Sequence, residues 1–176
     1  MEDYLKKWLK DEGVQFLREI GLKNGQMVLD FGSGIGYYTI PAAKIVGNEG
    51  RVYAVDEDRD IILKLMEKAK TLGLHNIIPV ISDKVDELKE EFFDVILLYD
   101  VLHDYYFNRE GRRKILEEIY RVSKYNNLVS VHPKHIDVDE IIEELETVGF
   151  HFKDKFSKKL IHFYTYEDGL ILNFYK

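Results

Sequence analysis

Short apolar runs alternate with amphipathic segments along most of the chain, and this rhythm constrains the fold more than any single motif. Residues 26–31 (QMVLDF), 51–56 (RVYAVD), 76–81 (NIIPVI), 92–99 (FFDVILLY) and 127–132 (NLVSVH) each read as a strand. Between them, residues 37–46, 58–72 and 109–124 read as helices, the last charged and amphipathic. Strands separated by helices imply a mostly parallel sheet covered on both sides. FFDVILLY is apolar without alternation, as a strand buried on both faces must be. Pro79 cannot donate to a ladder, so its strand belongs at an edge. A further helix spans 137–148 and ends at Gly149. The rhythm then changes: HFKDKF, LIHFYTY and LILNFYK alternate, with Glu167-Asp168-Gly169 as the turn of a terminal antiparallel hairpin.

The N-terminal residues 2–20 carry Tyr4, Leu5, Trp8, Leu9, Phe16, Leu17 and Ile20 at mostly helical spacing, with a break expected near Gly13 and a C-cap at Gly21. No repeat, linker or low-complexity tract divides the 176 residues, and 45% are hydrophobic, enough for one core. The expectation is a single domain over 1–176, with 1–22 as a helical segment and candidate lid, carried by Trp8. No run of about 18 apolar residues offers a membrane span. MEDYLKKWLKDEG lacks the apolar centre of a signal peptide, so a cytoplasmic location is the default expectation. Without cysteine there is no disulfide and no thiol nucleophile. A net charge of -7 argues against a broad electrostatic grip on nucleic acid. The basic clusters Arg112-Arg113-Lys114 and Lys153, Lys155, Lys158, Lys159 are mixed with acids and read as solvated faces.

The stretch VLDFGSGIGYYT places Gly32, Gly34 and Gly36 directly after the first strand. Such a junction lets a ligand approach bare backbone. It is not a P-loop, because no Gly-Lys-Ser/Thr follows. A dinucleotide fingerprint would need Gly or Ala three residues after Gly34, where Tyr37 stands. Asp30, two residues before the first glycine, suits an ammonium group better than a pyrophosphate. In parallel sheets of this kind ligands bind beyond the carboxyl ends of the strands, where this loop lies.

Asp30-Phe31-Gly32-Ser33-Gly34-Ile35-Gly36 resembles the first motif of the class I S-adenosylmethionine-dependent methyltransferases, and three further motifs follow in order. Asp56, with Glu57 beside it in VYAVDED, resembles the family's ribose-binding acid. Asp83, with Lys84 in VISDKVDEL, resembles the acid that meets the adenine amino group. FDVILLYDVLHD, with Tyr99 and Asp100, resembles the fourth-strand motif. The resemblance covers nearly the whole chain. It implies a Rossmann-like, doubly wound α/β fold with seven strands, helices on both faces and a C-terminal antiparallel hairpin. It also implies S-adenosylmethionine as cofactor, held by Asp30, Gly32, Ser33, Gly34, Gly36, Asp56, Glu57, Asp83, Lys84 and Tyr99.

Methyl transfer needs alignment and, for some acceptors, removal of a proton. Asp100, His103 and Asp104 leave the fourth strand, and His132 and His135 flank Pro133 at the end of the fifth. Of these, His103 with Asp100 is the candidate catalytic pair, since an imidazole titrates near neutrality. The same histidines and carboxylates could bind a divalent ion, but the acidic pattern of metal-using diol methyltransferases does not match, so no metal is expected. The competing reading makes all of them pocket wall. Tyr37, Tyr38, Tyr105, Tyr106 and Phe107 could stack on an acceptor or pack the core. The Asn/Asp-Pro-Pro-Tyr/Phe element of amino-directed enzymes is absent, and YDVLHD resembles small-molecule branches. The expected function is methyl transfer to a small or medium-sized metabolite. The alternatives are a macromolecular acceptor (RNA or protein) and a non-catalytic cofactor-binding module. With little material beyond the core, either the acceptor is small or a second copy of the chain closes the pocket.

Overall fold

The computed structural model describes residues 3–162 and 164–176; Met1, Glu2 and Phe163 lie outside the described residues. The chain opens with helix α1 (Asp3–Lys7), a π-helical turn (Trp8–Glu12) and helix α2 (Gly13–Ile20). Then follow β1 (Met27–Phe31), α3 (Thr39–Val46), β2 (Arg51–Asp56), α4 (Arg59–Thr71), β3 (Ile77–Ile81) and β4 (Phe93–Tyr99). The remainder is α5 (Arg109–Val122), β5 (Ser123–His132), α6 (Val138–Val148), β6 (His151–His162) and β7 (Thr165–Tyr175). The strands form one seven-stranded sheet in the order β3-β2-β1-β4-β5-β7-β6. The first five strands pair in parallel, and β7 runs antiparallel to both β5 and β6. β3, with Pro79, is an edge strand as expected.

Period-two side-chain alternation divides the core between two faces. Val95, Leu97 and Tyr99 of β4 meet the N-terminal helices, α3 and α4, whereas Ile96 and Leu98 meet α5 and α6. The unbroken apolar run of β4 is therefore two interleaved faces, both covered. Aspartate and asparagine caps start α4, α5 and α6, whereas α3 begins at Tyr38 without a side-chain cap. Asp58 accepts from Asp60 N (2.8 Å) and Ile61 N (3.1 Å), Asn108 from Gly111 N (2.8 Å), and Asp137 from Asp139 N (3.0 Å).

Three expectations need correction. Gly13 does not break the N-terminal helix: its backbone is helical (φ -65°, ψ -35°), and the irregularity is the π-turn before it. A Cβ on Gly13 would stand 2.9 Å from both Pro41 Cγ and Trp8 Cε2, so the glycine serves close packing. Glu167-Asp168-Gly169 is not the hairpin turn. Those residues lie inside β7, paired with Leu160, Lys159 and Lys158, and the chain reverses between His162 and Thr165. Arg112 is not on a solvated face but 1% exposed. Its Nε and Nη2 donate to the two carboxylate oxygens of Glu144 (3.0 and 2.8 Å), Nη2 also to Glu140 (2.5 Å), and Nη1 to Asp104. Arg113 and Lys114 do stay in solvent, paired with Glu117 and Glu110 one turn away.

Candidate active site

A cavity of about 470 Å³ lies beyond the carboxyl ends of the parallel strands, where β1 and β4 diverge. That volume falls within the roughly 300–1,000 Å³ of small-molecule sites, and the place is the topological switch point. Its floor is the glycine loop. Gly32, Gly34 and Gly36 all have positive φ (75°, 51° and 84°). A Cβ at Gly32 would meet Val101 Cγ2 at 2.8 Å and one at Gly36 would meet Leu65 Cδ1 at 2.2 Å, so these two seat the loop. At Gly34 a Cβ would meet nothing within 4 Å, so this glycine borders open space. Ser33 also lines the cavity, and its hydroxyl is buried without a hydrogen-bond partner. An orphan polar atom beside open space is ready for a ligand group.

Asp56 ends β2 at the cavity wall. Its Oδ2 accepts from Gly34 N (2.8 Å) and its Oδ1 from Asp58 N (3.0 Å). One carboxylate thus ties the glycine loop to the start of α4 and keeps lone pairs free, since each oxygen can accept twice. Glu57 and Asp83 line the same wall, but Lys84 does not. Tyr99 lies across the cavity, its hydroxyl 2.8 Å from Ser130 Oγ and its ring edge-on to Tyr38 at 4.5 Å. Asp30 sits behind the loop rather than in the wall. It is 3% exposed and accepts from Thr39 Oγ1 at 2.5 Å. Burial, reinforced by the nearby Asp56 charge, pushes its carboxyl up to about 7 although the Thr39 bond opposes the shift.

The electrostatic character of the lining is one-sided. Among the described residues it carries five carboxylates (Asp56, Glu57, Asp58, Asp83 and Asp100), no lysine and no arginine. Aromatic rings supply much of the rest, with Tyr37, Tyr106, Phe107 and Tyr164 around the opening. Trp8 does not itself line the cavity: it is buried against Phe16 and Tyr38, with its indole N–H on Tyr37 O at 2.9 Å, directly behind two lining residues.

The carboxyl ends of β4 and β5 are neighbours, with Tyr99 in register with His132. Asp100 turns out of β4 with φ 56°, a left-handed conformation costly for a non-glycine residue. Its carboxylate lies 3.9 Å from His103 Nε2 and 3.4 Å from His162 Nδ1. His103 stands behind Asp100 and outside the lining. Its Nδ1 accepts from Tyr105 N (3.2 Å), which occupies its lone pair, and burial lowers its pKa. His132 does line the cavity. Its Nδ1 is 2.8 Å from Leu170 O, and because a carbonyl only accepts, Nδ1 carries the proton. Nε2 is left as a buried lone pair without a partner, and burial lowers the pKa of this ring too. Asp104 is drawn away onto Arg112.

His162 and Tyr164 were not among the sequence-predicted residues. β6 is antiparallel to β7, which is antiparallel to β5, so two reversals make β6 end at the same edge as the parallel strands. Only a correctly placed turn could have revealed this, and the acidic Glu167-Asp168-Gly169 drew attention to the wrong place.

Fold and site together define an α/β domain with a ligand cavity at the switch point of a doubly wound sheet. The sequence model of the family described as "Methyltransferase domain" matches residues 28–126, more than half of the chain. The chain belongs to that family, among the class I S-adenosylmethionine-dependent methyltransferases. It is 34% identical over 84 residues to a probable cobalt-precorrin-6B C(15)-methyltransferase (decarboxylating) of Saccharolobus solfataricus, covering 44% of this chain and 42% of that protein. It is 29% identical over 119 residues to a demethylmenaquinone methyltransferase of Geobacillus stearothermophilus, covering 67% and 47%. The chain thus spans less than half the length of these curated relatives. A solved SAM-dependent methyltransferase from Aquifex aeolicus superposes with a TM-score of 0.75 over 98% of this chain and 97% of its own, at 24% identity.

Proposed function

We propose that the protein transfers the methyl group of S-adenosylmethionine to a small or medium-sized metabolite. The observation that carries this reading is the lining itself: five carboxylates and several aromatic rings, with no lysine or arginine among the described residues. Such a wall repels a pyrophosphate and attracts a ligand that carries a sulfonium and an ammonium. Bound there, S-adenosylmethionine supplies an already activated methyl group. The chain's own residues hold and orient. Gly34 and Ser33 offer bare backbone and an unpaired hydroxyl to the methionine portion. Asp56, with Glu57, takes the ribose hydroxyls, and Asp83 the adenine amino group. Asp30 acts from behind the loop, through Thr39 and the local field. Lys84 has no part in this set.

For proton removal from the acceptor, Asp100 keeps its place but His103 yields to His132. His132 lines the cavity and its Nε2 lone pair is buried without a partner, while the lone pair of His103 is occupied by Tyr105 N–H. The names of the precorrin and menaquinone relatives favour a small acceptor, and so does the acidic lining, which suits no polyanion.

A thermal-shift panel with S-adenosylmethionine, S-adenosylhomocysteine and NADH tests the reading. A ligand at 100 times its dissociation constant adds about 2.7 kcal/mol. For a domain of this size that is a rise of roughly 5–10 °C. A rise with the two sulfur ligands alone supports the proposal; a rise with NADH alone, or none, sinks it.

A further inference from the structure

Asp100, His135 and His162 converge at the rim of the cavity from three different elements. One ligand atom from each lies within 4.8 Å of the others. Two donors on one divalent ion, each about 2.0–2.2 Å away, stand about 2.8–3.6 Å apart at octahedral or tetrahedral angles. Asp100 Oδ2 and His162 Nδ1 are already 3.4 Å apart. His135 is exposed on the loop after β5, with its ring centroid 5.3 Å from that of His162, so a side-chain rotation brings it in. Both Asp100 and His135 are held with positive φ (56° and 65°), and the described chain has only four such non-glycine residues.

A second observation concerns Asp100 alone. Its Oδ1 is buried and accepts no hydrogen bond, and its ion-pair partners among the described residues are imidazoles only. A carboxylate oxygen shielded from water and left without a donor is costly unless a cation supplies the missing charge. Two imidazoles and one carboxylate form the donor set of borderline divalent transition metals; magnesium and calcium prefer all-oxygen sites.

We propose that Asp100, His135 and His162 bind a divalent transition-metal ion at the acceptor end of the cavity, contrary to the expectation from the sequence. Asp100 and His162 line the cavity, so coordination positions not filled by protein face it. The acceptor is then a molecule with an ionisable oxygen that can occupy one of them, its proton passing on coordination to His132, the base assigned above. The statement about the acceptor rests on the methyltransferase reading; the metal site does not.

The experiment titrates chelator-stripped protein with Co²⁺ and Zn²⁺, following heat and the visible absorption of bound Co²⁺. One ion per chain with a coordinated-Co²⁺ spectrum is expected. His135→Ala, His162→Ala and Asp100→Asn should each weaken binding by at least about tenfold. His75→Ala, at an exposed histidine before β3, should leave it unchanged. His135 is itself exposed, so its variant folds whatever becomes of the other two. Absence of stoichiometric binding, or binding that survives both His135→Ala and His162→Ala, overturns the proposal. S-adenosylmethionine is tested on the same stripped protein. A response to it without metal binding removes the metal site alone. Metal binding without that response removes the methyltransferase reading and leaves the site standing.

Discussion

Asp30 is buried behind the glycine loop, where its only side-chain hydrogen bond among the described residues is from Thr39. A buried carboxyl pushed up to about 7 binds its proton more tightly in the folded chain than in the unfolded one. Stability is therefore fully present below the unfolded value of 3.8 and falls as pH rises toward 7. The whole effect is on the order of 4 kcal/mol. Asp30→Asn keeps an acceptor for Thr39 and cannot ionise, so denaturant titrations should show its stability flat over this window where the parent's declines. Asp56 behaves differently, since its carboxylate anchors the loop from the cavity wall and, in the proposed function, takes the ribose hydroxyls. Asp56→Ala should weaken S-adenosylmethionine by roughly 100-fold, the worth of about two charge-assisted hydrogen bonds. Calorimetry that finds unchanged affinity would remove Asp56 from the ribose. At His132, replacement by Ala should cut turnover while leaving cofactor affinity within about twofold; a larger effect from His103→Ala would return the base to His103.

At the scale of elements, helices α5 and α6 are joined by charge rather than by apolar contact alone. Arg112 lies on the same stripe as Ile115, Leu116, Ile119 and Val122, and Glu144 lies beside Ile141 and Leu145. Helical periodicity alone could have flagged both as inward-facing; reading RRK as a composition cluster hid it. The guanidinium also holds Asp104 and the Phe107 carbonyl, and so fastens the segment that carries Tyr106 and Phe107 into the cavity wall. Arg112→Met leaves Glu144 buried without its partner and should cost about 3–5 kcal/mol. The double variant Arg112→Met, Glu144→Leu should recover much of that loss in urea unfolding. If the two single effects simply add, the pair is not coupled.

For the whole molecule, the C-terminal hairpin is part of both the core and the site. Leu160, Ile161, Ile171, Leu172 and Phe174 are buried, and β7 covers an edge of β5. A chain ended at Phe150 should therefore lose cooperative thermal unfolding by circular dichroism; a sharp transition in the truncated chain would refute this. Among the described residues no helix is long and apolar enough to cross a membrane.

The alternation of apolar runs and amphipathic segments was enough to give the strands, the parallel core and the edge position of β3, because strand and helix periods are local properties of the chain. The glycine loop and the acid at the end of β2 were legible for the same reason: a tight turn after a strand demands particular residues at fixed offsets. The surroundings of Asp100 were legible only in part. Asp100, His132 and His135 lie at or just beyond the ends of strands that the parallel arrangement makes neighbours, so sequence could group them. His162 comes from an edge strand returned to that rim by two antiparallel reversals, and no spacing encodes a contact across the 61 positions between it and Asp100. Protonation, too, was decided by tertiary structure. Whether a histidine keeps a free lone pair, or an aspartate stays charged, depends on burial and on the donor that faces it, and those are set only when distant segments pack.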